Sequence, residues 1–149
     1  MSQTSDGRLL TGAYGTCDGR RHQLVKATPS QGEYVVAADE QGRDGSVALH
    51  ESGVTDVFSV RVTSSWRDCE VLVHEDRGDG RWGVEFTDGA RAWAAGAVHL
   101  PGIDGDPHDR VTGWLSTDDL APFTSHLQRY VGRSFSGDPE ERWEYGPVG

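Results

Sequence analysis

Apolar and polar positions alternate over short stretches through most of the chain, and the alternation predicts strands. Val71 and Val73 alternate with Leu72 and His74, then Trp82, Val84 and Phe86 with Gly83, Glu85 and Thr87, a period of two that gives each strand one apolar face. Between them "EDRGDGR" is a polar, glycine-containing connection of hairpin length, so Arg77-Gly78-Asp79 reads as a turn. As an adhesion signal the same tripeptide would need an extracellular address, and the N-terminal "MSQTSDGRLLTG" does not suggest one. Asp-Gly steps begin at residues 6, 18, 44, 79, 88 and 104, and both residues of the dipeptide tolerate the positive φ that tight hairpins use. The runs between the steps, "HQLVKAT", "EYVVAAD", "SVALHES", "VFSVRVTSSW", "CEVLVHE", "RWGVEF" and "VTGWL", are rich in β-branched and aromatic residues and read as strands.

Two stretches fit less simply. "ARAWAAGAVHL" has the alanines of a helix, but Ala92, Ala94, Gly96, Val98 and Leu100 also fit a two-residue alternation, and it is read as a strand. One helix is predicted, opening in "STDDLAPF", where Ser116 or Thr117 caps the first amides and Asp118 and Asp119 face the positive end of the helix dipole. Leu120, Phe123, Leu127, Tyr130 and Val131 then recur at helical spacing up to Gly132, an apolar stripe suited to packing on a sheet. The expected fold class is α+β: mainly antiparallel β-sheet (meander, sandwich or partly open barrel) with one C-terminal amphipathic helix on it. Residues 1–149 are expected to form a single domain, with 1–7 and about 136–149 as less ordered termini.

Composition narrows the function classes. Five Trp, four Tyr and four Phe give the strands bulky side chains to pack, which argues against global disorder. The net charge is −10, from 24 acidic against 14 basic residues, and this repels nucleic-acid phosphates and anionic lipid. Neither nucleic acid nor a membrane is expected as a partner. Of the basic residues only Lys26 is lysine, an arginine-heavy usage like that of GC-rich, actinobacterial genomes. No basic start with a following apolar stretch opens the chain and no apolar run approaches a membrane span, so a cytoplasmic location is expected. Cys17 and Cys69 lie far apart with no C-x-x-C pairing, and two free thiols are expected in a reducing compartment.

Candidate chemistry is sparse. No G-x-S-x-G elbow, H-E-x-x-H pair or G-K-S/T phosphate loop occurs, and the three glycines of "GAYGTCDG" match no phosphate cradle. No catalytic residue and no cofactor is nominated, because with 24 carboxylates spacing alone cannot single out an acid and a base. No metal is assigned; the alternative is a site built from His99 with Asp104 and His108 of the irregular loop "PGIDGDPHDR" that follows it. The tryptophans, Trp82 and Trp114 among them, read as core rather than as the wall of a ligand cleft. Charge is the remaining signal. Residues 68–88 hold seven acidic residues against Arg77 and Arg81, and the later loop adds Asp104, Asp106 and Asp109. Side by side, these regions would form a negative surface that steers a basic partner.

Several antiparallel strands, the "GRWGVEF" hairpin and the late "LSTDDLAPFTSHL" passage give an order, over residues 56–132, that resembles immunity proteins of bacterial polymorphic-toxin systems. The resemblance implies binding to a cognate toxin and blocking of its active site; it assigns no residue. The expected function is a non-enzymatic acidic protein-binding domain, in its inhibitory form an immunity or antitoxin protein engaging a basic partner. Glu75, Asp76, Asp79, Asp104, Asp106 and Asp109 are the contact candidates. The alternatives are a small-ligand- or metal-binding β-barrel or sandwich protein with enzymatic activity, and a structural or virion accessory subunit.

Overall fold

The computed structural model describes residues 4, 8–37, 47–100, 102–106, 108, 110–131, 134–137 and 141–143. Antiparallel strands dominate it, and the main sheet is open. The chain falls into two compact units, one built around Gly12–Val60 and His126–Glu140, the other around Arg61–Ser125 with the segment that ends at Thr11 and the strand at 141–143. No helix among the described residues is long and apolar enough to cross a membrane.

In the first unit, β1 (Gly12–Cys17) pairs antiparallel with β2 (Arg20–Leu24). Asp18 and Gly19 join them with φ of 52° and 75°, the two left-handed residues of a tight hairpin turn, as the dipeptide predicts. Strand β1 is absent from the sequence reading because its glycines argue against a strand. The structure explains Gly15: a Cβ there would lie 2.9 Å from Val54 Cγ1 and 3.1 Å from Leu24 Cδ1, so the missing side chain makes room for these two from the flanking strands. On its other side β1 pairs with the first part of β5 (Val54–Trp66), and β3 (Glu33–Val35) pairs with β4 (Ala48–His50) as a separate ladder. Ala13, Leu24, Ala27, Tyr34, Val54 and Val57 make this unit's core, with Cys17, Leu49 and Tyr130 against it. Across the β1–β5 ladder Tyr14 stacks on Phe58, ring centroids 5.5 Å apart. Burial pushes the Tyr14 phenol up to about 12, against the opposing pull of Arg21.

In the second unit, the rest of β5 pairs with β6 (Cys69–Asp76), β6 with β7 (Arg81–Phe86), β7 with β9 (Val111–Ser116), and β9 with the short β8 (Asp104–Gly105). Alternation decides which side is core. Val71, Val73, Trp82, Val84, Phe86, Val111 and Leu115 are all buried, and cross-strand register puts them on one face. Trp66 meets Phe86 edge-on at 5.6 Å, and Trp82 meets Phe123 edge-on at 4.9 Å. Cys69 is buried as a small apolar group, and it and Cys17 are free thiols. Thr11 ties in the preceding segment: its amide donates to the Val73 carbonyl and its hydroxyl accepts from the Val62 amide.

The sequence reading needs two corrections. The alanine-rich stretch is not a strand but α1 (Gly89–Ala94) with a one-turn 3-10 segment after it. Asp88 accepts from the Arg91 amide as its N-cap, and Gly96 closes it at φ 101°, so the Asp-Gly step at 88 starts a helix rather than a hairpin. The expected C-terminal helix is a strand. Ser116 caps only a single 3-10 turn, Thr117–Asp119, and β10 (Phe123–Val131) follows as a neighbour of β5. Pro122 brings no amide to continue the turn, and the Phe, Thr, Ser, His and Tyr that follow suit a pleated, half-buried strand; the helical-looking stripe is a coincidence of spacing. Strands β11 (Ser134–Gly137) and β12 (Glu141–Trp143) pair with the two ends of β10. Of the termini expected to be less ordered, 1–3, 5–7, 138–140 and 144–149 lie outside the described residues.

Candidate functional site

The face of β6, β7 and β9 opposite the second unit's core carries a groove of about 360 Å³. Register builds it. Gly83 lies opposite Trp114 and Glu85 opposite Thr112, so both pairs point away from the buried Val84 and Phe86. On β6 the ladder shifts register between Val73 and Glu75, a bulge that re-aims side chains, and both His74 and Glu75 line the groove. The loop before β9 adds Gly102, Asp104 and Arg110. Gly105 fixes that loop's path, since at φ 116° any Cβ would run into the Arg110 carbonyl.

The floor is aromatic. Trp114 lies over Gly83, whose Cβ, if present, would stand 3.2 Å from the indole. The Arg77 guanidinium sits 5.6 Å from the Trp114 ring centroid, within cation–π range. Trp114 is therefore a half-buried surface residue, not the core residue its alternating run suggested; Leu115, one position on, takes the inward place.

Glu75 and Asp104 line the walls with His74 and Arg110, and Glu85 lies beside them; the three carboxylates differ in availability. Glu85 is engaged: Arg110 Nε forms an ion pair with its Oε2 at 2.6 Å, and His74 Nε2 lies 3.4 Å from its Oε1. Glu75 and Asp104 have no ion pair among the described residues and line the same groove. The other contact candidates serve their own backbone. Asp76 Oδ1 accepts from the Gly78 amide and Asp79 Oδ1 from the Arg81 amide, so the Arg-Gly-Asp stretch is a turn braced by its aspartates. Asp79 also faces Arg77 Nε at 3.4 Å. Asp106 Oδ1 accepts from the His108 amide, and Asp109 lies outside the described residues.

The alternative metal ligands do not assemble. His99 ends the 3-10 turn after α1, Asp104 lines the acidic groove, and His108 lines an open hollow with Leu72 and Phe86 that shares Arg110 with that groove. No group of three or more His, Cys, Asp or Glu that could hold a metal ion occurs among the described residues.

Sequence reasoning missed Trp114, Glu85 and Arg110. One signal was present: a glycine inside the β7 run marks close approach by another group, and Trp114 is its cross-strand partner. The pairing of Glu85 with Arg110 depends on a cross-strand register that spacing along one strand does not carry. No protein-family model matches the chain, and no curated protein or solved structure is significantly similar to it.

Proposed function

We propose that the chain is a non-enzymatic acidic binding domain for a basic protein, acting in the manner of an immunity or antitoxin protein in the cytoplasm. The observation that carries this reading is one groove lined by the half-buried Trp114 together with Glu75 and Asp104, two carboxylates without an ion pair among the described residues. A lysine or arginine entering there lays its aliphatic stem along the indole and brings its charge to a carboxylate of the groove. Such a site, on a chain of net charge −10, steers a cationic partner from a distance and holds it at short range.

The test begins with co-purification against the products of genes adjoining its own. With a partner in hand, the doubly substituted Glu75→Lys, Asp104→Lys protein should associate about 10-fold more slowly at low salt, and its rate should respond less to added salt than that of the wild type. Stopped-flow association rates that salt leaves unchanged in both proteins would remove the electrostatic basis of this reading.

A further inference from the structure

Trp114 is shared by two grooves. Beyond the acidic one lies a second, of about 240 Å³, lined by Arg77, Arg81, Leu100, Ser116 and Asp119, among others, and meeting the first at Gly102 and Trp114. Its cations are not equivalent. Arg77 is drawn to Asp79 and lies over the indole, whereas Arg81 is exposed and has no ion pair among the described residues. The same outward face thus offers, among the described residues, an unpaired guanidinium on one side of Trp114 and the unpaired Asp104 on the other.

Register sets the spacing. Arg81, Gly83 and Glu85 follow one another at two-residue intervals along the outer side of β7, opposite Ser116, Trp114 and Thr112. Asp104 stands opposite Thr112, level with Glu85, while Glu75 stands opposite Gly83, level with the indole; with a rise of about 3.3 Å per residue, the Arg81 and Asp104 levels lie about 13 Å apart along the strands, with the indole midway. An extended chain has the same rise, so its side chains at positions 1, 3 and 5 meet these three places in step. A helix covers only about 6 Å in four residues and is about 10 Å wide, a poor fit to grooves of 240 and 360 Å³.

Building on the proposed function, we infer that the partner inserts an extended segment bearing both signs of charge: a cationic side chain for Asp104, an apolar side chain over Trp114 two residues away, and a carboxylate for Arg81 two residues further, with Glu75 level with the indole. Asp119, which lines the basic groove, opposes that carboxylate and tunes the preference.

Three capped peptides test this: Lys-Ser-Leu-Ser-Glu, Lys-Ser-Leu-Ser-Lys and Glu-Ser-Leu-Ser-Glu, each titrated to millimolar concentration against the ¹⁵N-labelled protein while the Trp114 indole resonance is followed. The mixed-charge peptide should bind several-fold more tightly than either like-charged one. Arg81→Glu should reverse the order of the two lysine peptides, and Asp119→Asn should strengthen the mixed peptide. If the doubly basic peptide binds wild-type protein as tightly as the mixed one, the two-signed segment is wrong while the acidic groove stands. If neither lysine peptide moves the Trp114 resonance, the acidic groove itself falls.

Discussion

At the scale of single residues, two side chains show how position changes chemistry. Trp82 and Trp114 occupy strands of the same alternating type, yet Trp82 is buried and Trp114 forms the floor of a surface groove. The difference is one of parity. Strand β9 places Val111, Gly113 and Leu115 inward, so position 114 must face out. Tyr14 is fully buried, and its phenol is raised to about 12 by desolvation. The sign of the consequence follows from linkage. Below pH 10 the phenol is protonated in both folded and unfolded chains; above it the unfolded chain ionises first, so ionisation favours unfolding. Stability should therefore fall as pH rises from about 10 towards 12, and Tyr14→Phe should flatten that fall in urea melts at pH 9 and 11.

At the scale of elements, hairpins carry the fold, and two of them use opposite means. The β1–β2 turn spends an Asp-Gly pair on its two left-handed positions, while the β5–β6 turn places Arg67 and Asp68 there, with φ of 49° and 62°. Left-handed geometry is unfavourable for residues with a Cβ. Arg67 has compensation, stacking 4.7 Å from the Trp66 ring centroid and donating to the Ala95 carbonyl. Asp68 makes no contact of that kind among the described residues. Asp68→Gly should accordingly stabilise the protein by about 0.5–1 kcal/mol, read as a rise in the urea midpoint with an unchanged slope. Strands with clear alternation, such as β6 and β7, were legible in the sequence because period and turn chemistry agreed. Strands β1 and β10 were not, since glycines obscure the first and a chance helical spacing disguises the second, and what makes them strands is pairing with the distant β5. The candidate site was legible only in its sign of charge: Glu75 and Asp104, which line the groove, stand among the six acidic residues the sequence nominates, whereas the indole between the grooves depends on cross-strand register.

At the scale of the molecule, the acidity foreseen from composition is not spread evenly over working positions. Most of the aspartates proposed as contacts brace their own turns, which leaves Glu75, Asp104 and Arg81 around the shared indole without an ion pair among the described residues. The same economy fixes the turn beside them. Trp82 Nε1 donates to Thr117 Oγ1 at 2.9 Å, and that hydroxyl in turn donates to the Gly80 carbonyl at 3.0 Å, so the loop between β6 and β7 is latched to the turn after β9 from below. A surface latched before it meets its partner has little disorder left to surrender on docking. Calorimetric titration of Thr117→Val should show a larger unfavourable entropy of association than the wild type, at closely similar buried area and heat-capacity change.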